Sequence, residues 1–326
     1  MSILCSGSFV ADILVPDLPG IGPPGSLTYA PSGIHLSPGG HSSNVGINLT
    51  QLGSQNIHAA GSIGKDEIGK FLIDQLKNRG VTPHPEIQEN STTAKNIALL
   101  VIGEDRRYIA ELTANSLLSK EHLLKSINNT EPEILYQGTL GGLPIIERDL
   151  PEIIKKSEAL NFIDVIMPTN GWEYLDATFS SIDVFHANLL EASNLIGETN
   201  PRKAIKLLSE TGIKLAIITD AHKGAIAATK DHLIEMPAFH VNQIDPTGAG
   251  DALSAGIINY IQKNKTPRSK LTEPETIINL LLEGQAAGAA CVTGLGATTS
   301  VTQEKVKNIL KQQKTRVINN TRTETQ

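Results

Sequence analysis

Asp245-Pro246-Thr247-Gly248-Ala249-Gly250-Asp251 runs without a break into the helix-forming Ala252-Leu253-Ser254-Ala255-Gly256. Small residues let a backbone approach an anion closely, their amides converge into a nest, and the positive end of the following helix points at the same place. Asp251 falls at that helix start. A carboxylate with an ordinary pKa is ionised there at neutral pH and can take the proton of a hydroxyl that attacks a cradled phosphate. Asp also caps helices often, and this stretch alone leaves the two roles open.

Upstream, Pro38-Gly39-Gly40-His41-Ser42-Ser43-Asn44-Val45-Gly46 leads a second double glycine into a helix that ends near Leu52-Gly53. Glycines there permit close backbone approach, and the Asn44 amide offers donor and acceptor to a polyol. Taken alone, the stretch reads as a turn before a capped helix. Gly20-Ile21-Gly22-Pro23-Pro24-Gly25 formally matches the dinucleotide fingerprint, but the prolines restrict the backbone and no amphipathic run begins at Gly25. No GxxxxGK[ST] sequence is present, which excludes an ordinary P-loop enzyme.

The rest of the chain alternates. A buried strand is predicted over Ser2–Val15, helices over 41–52 and 66–79, and a hairpin of Asn96–Ile102 and Arg107–Leu112 with Arg106 and Arg107 at its tip. Strands are predicted near 56–61, 134–136, 162–166, 184–186, 214–219, 225–228 and 232–236. Helices are predicted over 145–159, from Leu189, over 202–210, 251–262, 273–291 and 303–313. Such alternation gives an α/β fold with a central, mostly parallel sheet flanked by helices, ligands lying beyond the carboxyl ends of the strands. The polar tail 314–326 is predicted to be disordered.

Composition narrows the class. In 326 residues, 40% hydrophobic content suffices for a core without disulfides or metals. Cys5 and Cys291 lack paired spacing, and the apolar run Ile3–Val15 carries Asp12 with no preceding Lys or Arg. Neither an export signal nor a membrane span is read, and a cytoplasmic location follows. A net charge of -6 with scattered Lys and Arg argues against nucleic-acid binding.

The two glycine stretches together, in this order, resemble the signatures of the ribokinase-like (PfkB) kinase family. Asn188-Leu189-Leu190-Glu191 resembles its Asn-x-x-Glu element, Ala114-Asn115 the segment after its lid, and Val292-Thr293-Gly294-Leu295-Gly296-Ala297 the stretch near its adenine site. The resemblance implies one kinase domain over 1–313, with a small β-sheet lid from about 10–38 and 92–115. It implies an ATP-dependent enzyme that phosphorylates a hydroxymethyl group. Gly248, Ala249, Gly250 and the Asp251 amide would form the anion hole and Asp251 the base. Asp12, Gly39, Gly40 and Asn44 would hold the acceptor; Thr219, Gly224 and the region from Ala287 would meet the nucleotide. Asn188 and Glu191 would hold Mg2+ through water, and Asp245, Thr247, Gly296 and Ser300 would surround K+. His41 stands where the family often has a small residue, with substrate contact and simple backbone satisfaction both open.

No Lys or Arg occurs in Ser26–Asn56, which disfavours a phosphosugar acceptor. The 4% aromatic content favours a sugar over a nucleoside, whose base stacks on aromatic side chains. A nucleoside kinase and a catalytically silent ligand-binding protein on the same fold are the alternatives, and a homodimer through paired lid sheets is consistent with the family.

Overall fold

A computed structural model describes all residues except 105–106, 139–140 and 170, so the expected position of Arg106 at the hairpin tip lies outside the described residues. The strands are β1 (Ile3–Ser6), β2 (Val10–Leu18), β3 (His35–Gly39), β4 (Ile57–Gly64), β5 (Thr82–Gln88), β6 (Lys95–Val101) and β7 (Arg107–Glu111). They continue with β8 (Ile134–Gly138), β9 (Leu160–Asp164), β10 (Val184–Asn188), β11 (Leu215–Thr219), β12 (Ala225–Ala228), β13 (His232–Met236) and β14 (Arg322–Thr325). The helices are α1 (His41–Gln51), α2 (Glu67–Asn78), α3 (Lys120–Thr130), α4 (Pro144–Lys156) and α5 (Glu173–Asp176). After them come α6 (Leu189–Ile196), α7 (Pro201–Glu210), α8 (Ala249–Asn264), α9 (Pro274–Cys291) and α10 (Gln303–Asn319).

Ten strands form the large sheet in the order β14-β13-β12-β11-β10-β9-β8-β1-β4-β5. Neighbours from β5 to β11 are parallel, and β12 to β14 add antiparallel. Successive residues of a strand face opposite sides. Ile3 and Cys5 therefore join the core beneath α1, α2, α8, α9 and α10, whereas Leu4 joins the core beneath α3, α4, α6 and α7. Burial on both faces accounts for the continuous apolar reading of β1, β8 and β11. Among the described residues no helix is long and apolar enough to cross a membrane.

Four strands, β3-β2-β6-β7, make the separate small sheet expected over the lid segments. The predicted strand Ser2–Val15 is in fact two: β1 stays in the large sheet, and beyond Gly7-Ser8-Phe9 the chain enters β2 of the small one. Asn115 fastens this crossing, accepting from Phe9 N at 3.2 Å and donating to Phe9 O at 3.1 Å. Gly20–Gly25 lies in the exposed loop between β2 and β3, not at a helix start.

The C-terminal expectation is also corrected. Residues 314–319 complete α10, with Val317 fully buried, and β14 pairs with β13. Arg202 bridges Glu235 and Glu324, tying α7 to both strands, and Gln326 Nε2 donates to Thr229 O at 2.8 Å.

Candidate active site

The two glycine stretches meet beyond the carboxyl ends of the parallel strands. Gly40 caps α1 at φ 84, a conformation that disfavours a side chain; a Cβ there would sit 2.4 Å from Ser8 O. The first turn of α1 then faces the first turn of α8. Asn44 Nδ2 donates to Asp251 Oδ2 at 2.8 Å, and His41 Nδ1 lies 3.3 Å from Asp251 Oδ1. His41 is thus turned toward the carboxylate. Asp251 Oδ1, Asn44 Oδ1 and His41 Nδ1 are buried without a hydrogen-bond partner. Unpaired buried polar atoms are costly unless a ligand completes them. Burial pushes Asp251 above the ordinary carboxylate range against the pull of His41; Asp164 adds to the push, and Asn44 and His186 oppose it.

Asp12 lies within β2, opposite Ser37 of β3 and Asn96 of β6. Its Oδ1 accepts from Asn96 Nδ2 at 3.1 Å, and Oδ2 lies 2.0 Å from where a Cβ on Gly39 would stand, so Gly39 makes room for the carboxylate. Burial pushes Asp12 up to about 6, with Asn96 opposing and Asp251 and Asp245 adding. Asp12, Gly39, Gly40, Asn44 and Asp251 are brought together as the sequence implied.

The loop from Asp245 to Asp251 is pinned from several sides. Asp245 Oδ1 accepts from Thr247 N at 2.9 Å and Thr247 Oγ1 at 2.6 Å, while Oδ2 accepts from Gly296 N at 2.8 Å. Because the Thr247 hydroxyl proton goes to Asp245, Tyr108 of the small sheet donates to Thr247 Oγ1, 3.1 Å away. The hairpin is therefore fastened to the loop through Tyr108, and Arg107 pairs with Glu104 on the surface. Gly248 caps α8 at φ 75, and a Cβ on it would fall 2.2 Å from Ala297 Cβ. Gly248→Ala is expected to lower stability by about 2–4 kcal/mol, left-handed strain and overpacking acting together, as read from denaturant unfolding.

On the far side of α8 an open cleft of ≈ 210 Å³ is lined by Thr219, Gly224, Phe239, Val241, Ala249, Gly250 and others. Ala287 does not line it. Gln285, Gly288, Ala289 and Val292 do, at the helical spacing i, i+3, i+4, i+7, whereas Ala287 is fully buried against Gly256 of α8. Gln285 keeps Nε2 buried and unpaired at this cleft.

Asn188 and Glu191 form a reciprocal capping box: Asn188 Oδ1 accepts from Glu191 N at 2.9 Å, and Glu191 Oε2 accepts from Asn188 N at 2.7 Å. The box engages only one Glu191 carboxylate oxygen, so the other is the one that would hold Mg2+ through water, and the pair caps the helix whatever else it does. For K+, Asp245 is already engaged by the contacts above, and Ser300 Oγ packs on Gly294. The side chains of this set are committed to holding the loop, so a K+ here would rest on backbone carbonyls rather than on them.

The sequence reading missed Asp164, His186, Tyr136 and Ser254, a buried polar cluster behind Asp251. One signal was present: Asp164 ends a parallel strand, where ligand sites of α/β sheets gather.

Comparison with known proteins agrees with this geometry. A family profile described as pfkB family carbohydrate kinase matches residues 2–304. Fructokinase-2 of Oryza sativa subsp. japonica is 28% identical over 324 residues, covering 93% of each chain. Ribokinase of Haemophilus influenzae is 26% identical over 304 residues, covering 90% of this chain and 93% of its own. The crystal structure of fructokinase with bound ATP from Xylella fastidiosa superposes with a TM-score of 0.80 at 22% identity, over 96% of this chain and 99% of that one. With its glycine-rich loop at the start of α8, its small sheet and a profile match spanning nearly its whole length, the chain belongs to the pfkB family of carbohydrate kinases.

Proposed function

We propose that this enzyme transfers the γ-phosphate of ATP to a hydroxymethyl group of an unphosphorylated sugar, with Asp251 as the base. One observation carries the reading: the Asp251 carboxylate is buried at the N-terminus of α8, steered by Asn44, with its second oxygen facing His41 Nδ1 at 3.3 Å and accepting no hydrogen bond. Asp12 and Asn44 hold the acceptor by its hydroxyls, and Asp12 can accept from two neighbouring ones. Asp251 Oδ1 then receives the proton of the attacking hydroxyl as the phosphoryl group passes into the amides of Gly248, Ala249, Gly250 and Asp251. Thr219 and Gly224 line the nucleotide cleft. Mg2+ supplies charge neutralisation on the triphosphate, and Glu191, capping α6 with Asn188, would hold it through water. The hairpin of β6 and β7 excludes water by closing through Tyr108.

The acceptor is read as uncharged because, among the described residues, no Lys or Arg is paired with Asp12, Asn44 or Asp251. Lys95, beside Asn96, turns instead to Thr93 O and Glu111. The relatives named fructokinase and ribokinase favour a sugar over a nucleoside. The buried free thiols of Cys5 and Cys291 suit the cytoplasm. A homodimer would pair through the small sheet, whose outer strands are β3 and β7.

The test is ADP release from ATP and Mg2+ across pentoses, hexoses, ketoses, sugar acids, phosphosugars and nucleosides. Turnover is expected on one or a few neutral sugars. Turnover confined to phosphosugars or nucleosides would refute the acceptor class, and silence with intact ATP binding would refute the enzyme.

A further inference from the structure

Behind Asp251 lies a second buried carboxylate that the proposed reaction leaves unused. Asp164 is 3% exposed and its partner His186 is 2% exposed. Asp164 Oδ1 lies 3.1 Å from His186 Nδ1. Its Oδ2 accepts from Tyr136 OH at 3.1 Å and from Ser254 Oγ at 2.8 Å. These partners stand on β10, β8 and α8, and Ser254 is three residues beyond Asp251, on the neighbouring turn of the same helix. His186 Nε2 continues to Thr219 Oγ1 at 3.3 Å, and the ring edge lies 3.3 Å from where a Cβ on Gly250 would stand. Ligand atoms of Asp164, Asp251 and His41 all lie within 4.8 Å of one another.

Nothing in the packing of strands calls for such a group. A buried ion pair is often matched or bettered in stability by apolar residues of the same volume, and a second carboxylate beside Asp251 adds repulsion. What charged hydrogen bonds supply, and apolar packing does not, is direction. Burial alone would push Asp164 up and His186 down, but their mutual attraction and hydrogen bond outweigh it, holding Asp164 low and His186 high. Both directions favour the charged pair, and Asp164 accepts from side chains on three elements, Tyr136 of β8, Ser254 of α8 and the facing Nδ1 of His186 on β10.

We propose that Asp164 is a positioning residue for phosphoryl transfer: it clamps the first turns of α8 to the ends of β8 and β10 and thereby sets the direction of the Asp251 carboxylate. The inference rests on the reading of Asp251 as the base. Asp164 touches neither substrate, and its effect reaches the reaction only through α8 and the ring of His186 beneath Gly250. A displacement of the base by about 1 Å is enough to lower a rate on the order of 100-fold.

The experiment compares Asp164→Asn, Ser254→Ala, Tyr136→Phe and Asp251→Asn, and the double variant of Asp164 and Asp251, by steady-state and single-turnover rates, ATP affinity and unfolding midpoint. Asp164→Asn is expected to lower kcat about 30- to 100-fold with KM for both substrates within about twofold, the mark of an interaction felt in the transition state. Added to Asp251→Asn it should cause no further loss, because its route to the reaction is already cut. Ser254→Ala and Tyr136→Phe keep every charge and should show the same split at about 3- to 10-fold each, which carries the test if Asp164→Asn does not fold. Wild-type kcat in the Asp164, Ser254 and Tyr136 variants alongside an inactive Asp251→Asn would overturn the positioning role alone. Losses that multiply in the double variant and follow the unfolding midpoint would reduce Asp164 to a stability residue. Turnover near wild type in Asp251→Asn would instead remove the base, and this proposal with it.

Discussion

Asp251→Asn is expected to cut kcat about 1,000-fold while leaving ATP affinity within about twofold. The amide keeps the shape of the carboxylate, and its oxygen can still accept from Asn44 Nδ2, so α1 and α8 stay in register. What is lost is the capacity of a buried carboxylate to take a proton. Burial raises the basicity of Asp251 above that of an ordinary carboxylate, so in the wild type activity should rise with pH through a value above the ordinary carboxylate range. That limb should be missing from the residual rate of the variant. Retention of more than about a tenth of wild-type kcat would remove Asp251 from the chemistry.

Asp12→Asn should act in two directions at once. Charge-assisted hydrogen bonds to two acceptor hydroxyls are lost, and KM for the sugar should rise about 100-fold, at 1.5–3 kcal/mol for such a bond. The free protein should nevertheless become more stable at pH 8. Burial raises the Asp12 pKa from 3.8 to about 6, so its favourable contribution is complete below the unfolded value and is lost as pH rises through about 6. Above that, the ionised group weakens the fold by about 1–3 kcal/mol, and the neutral amide does not. Thermal unfolding at pH 5 and pH 8 tests this: the gain should be largest at pH 8. A variant less stable than wild type at both pH values would mean that Asp12 is held for structure and not for the acceptor.

Both glycine stretches were legible because their chemistry is local: small residues, a helix start and a carboxylate within a few positions. Their meeting across 207 positions, Asn44 to Asp251, came from resemblance and not from spacing. Asp164 and His186 were invisible for a related reason. Each sits in a short, mostly apolar strand with no neighbouring motif to mark it, and its partners arrive from other elements. The error at Ala287 is one of helical phase: from Ala286 to Cys291 every residue is small, so no periodic contrast separates the cleft-facing side from the packed one. β5 was missed because Pro83 and Pro85 argue against a strand, although prolines are tolerated at an edge. α3 carries too few apolar residues to declare itself, and its Ser119 cap, accepting from His122 N, was the available clue.

The edges of the two sheets differ in one further respect. The large sheet ends at β5, whose prolines lack amide hydrogens, and at β14, a short and fully exposed strand rich in polar residues. Both are poor templates for another strand. The small sheet has no such guard at β7, where Tyr108 and Ile109 are exposed. Tyr108 is also the residue that reaches Thr247. Docking of any chain along β7 would therefore reach, through Tyr108, the Thr247 hydroxyl just before α8.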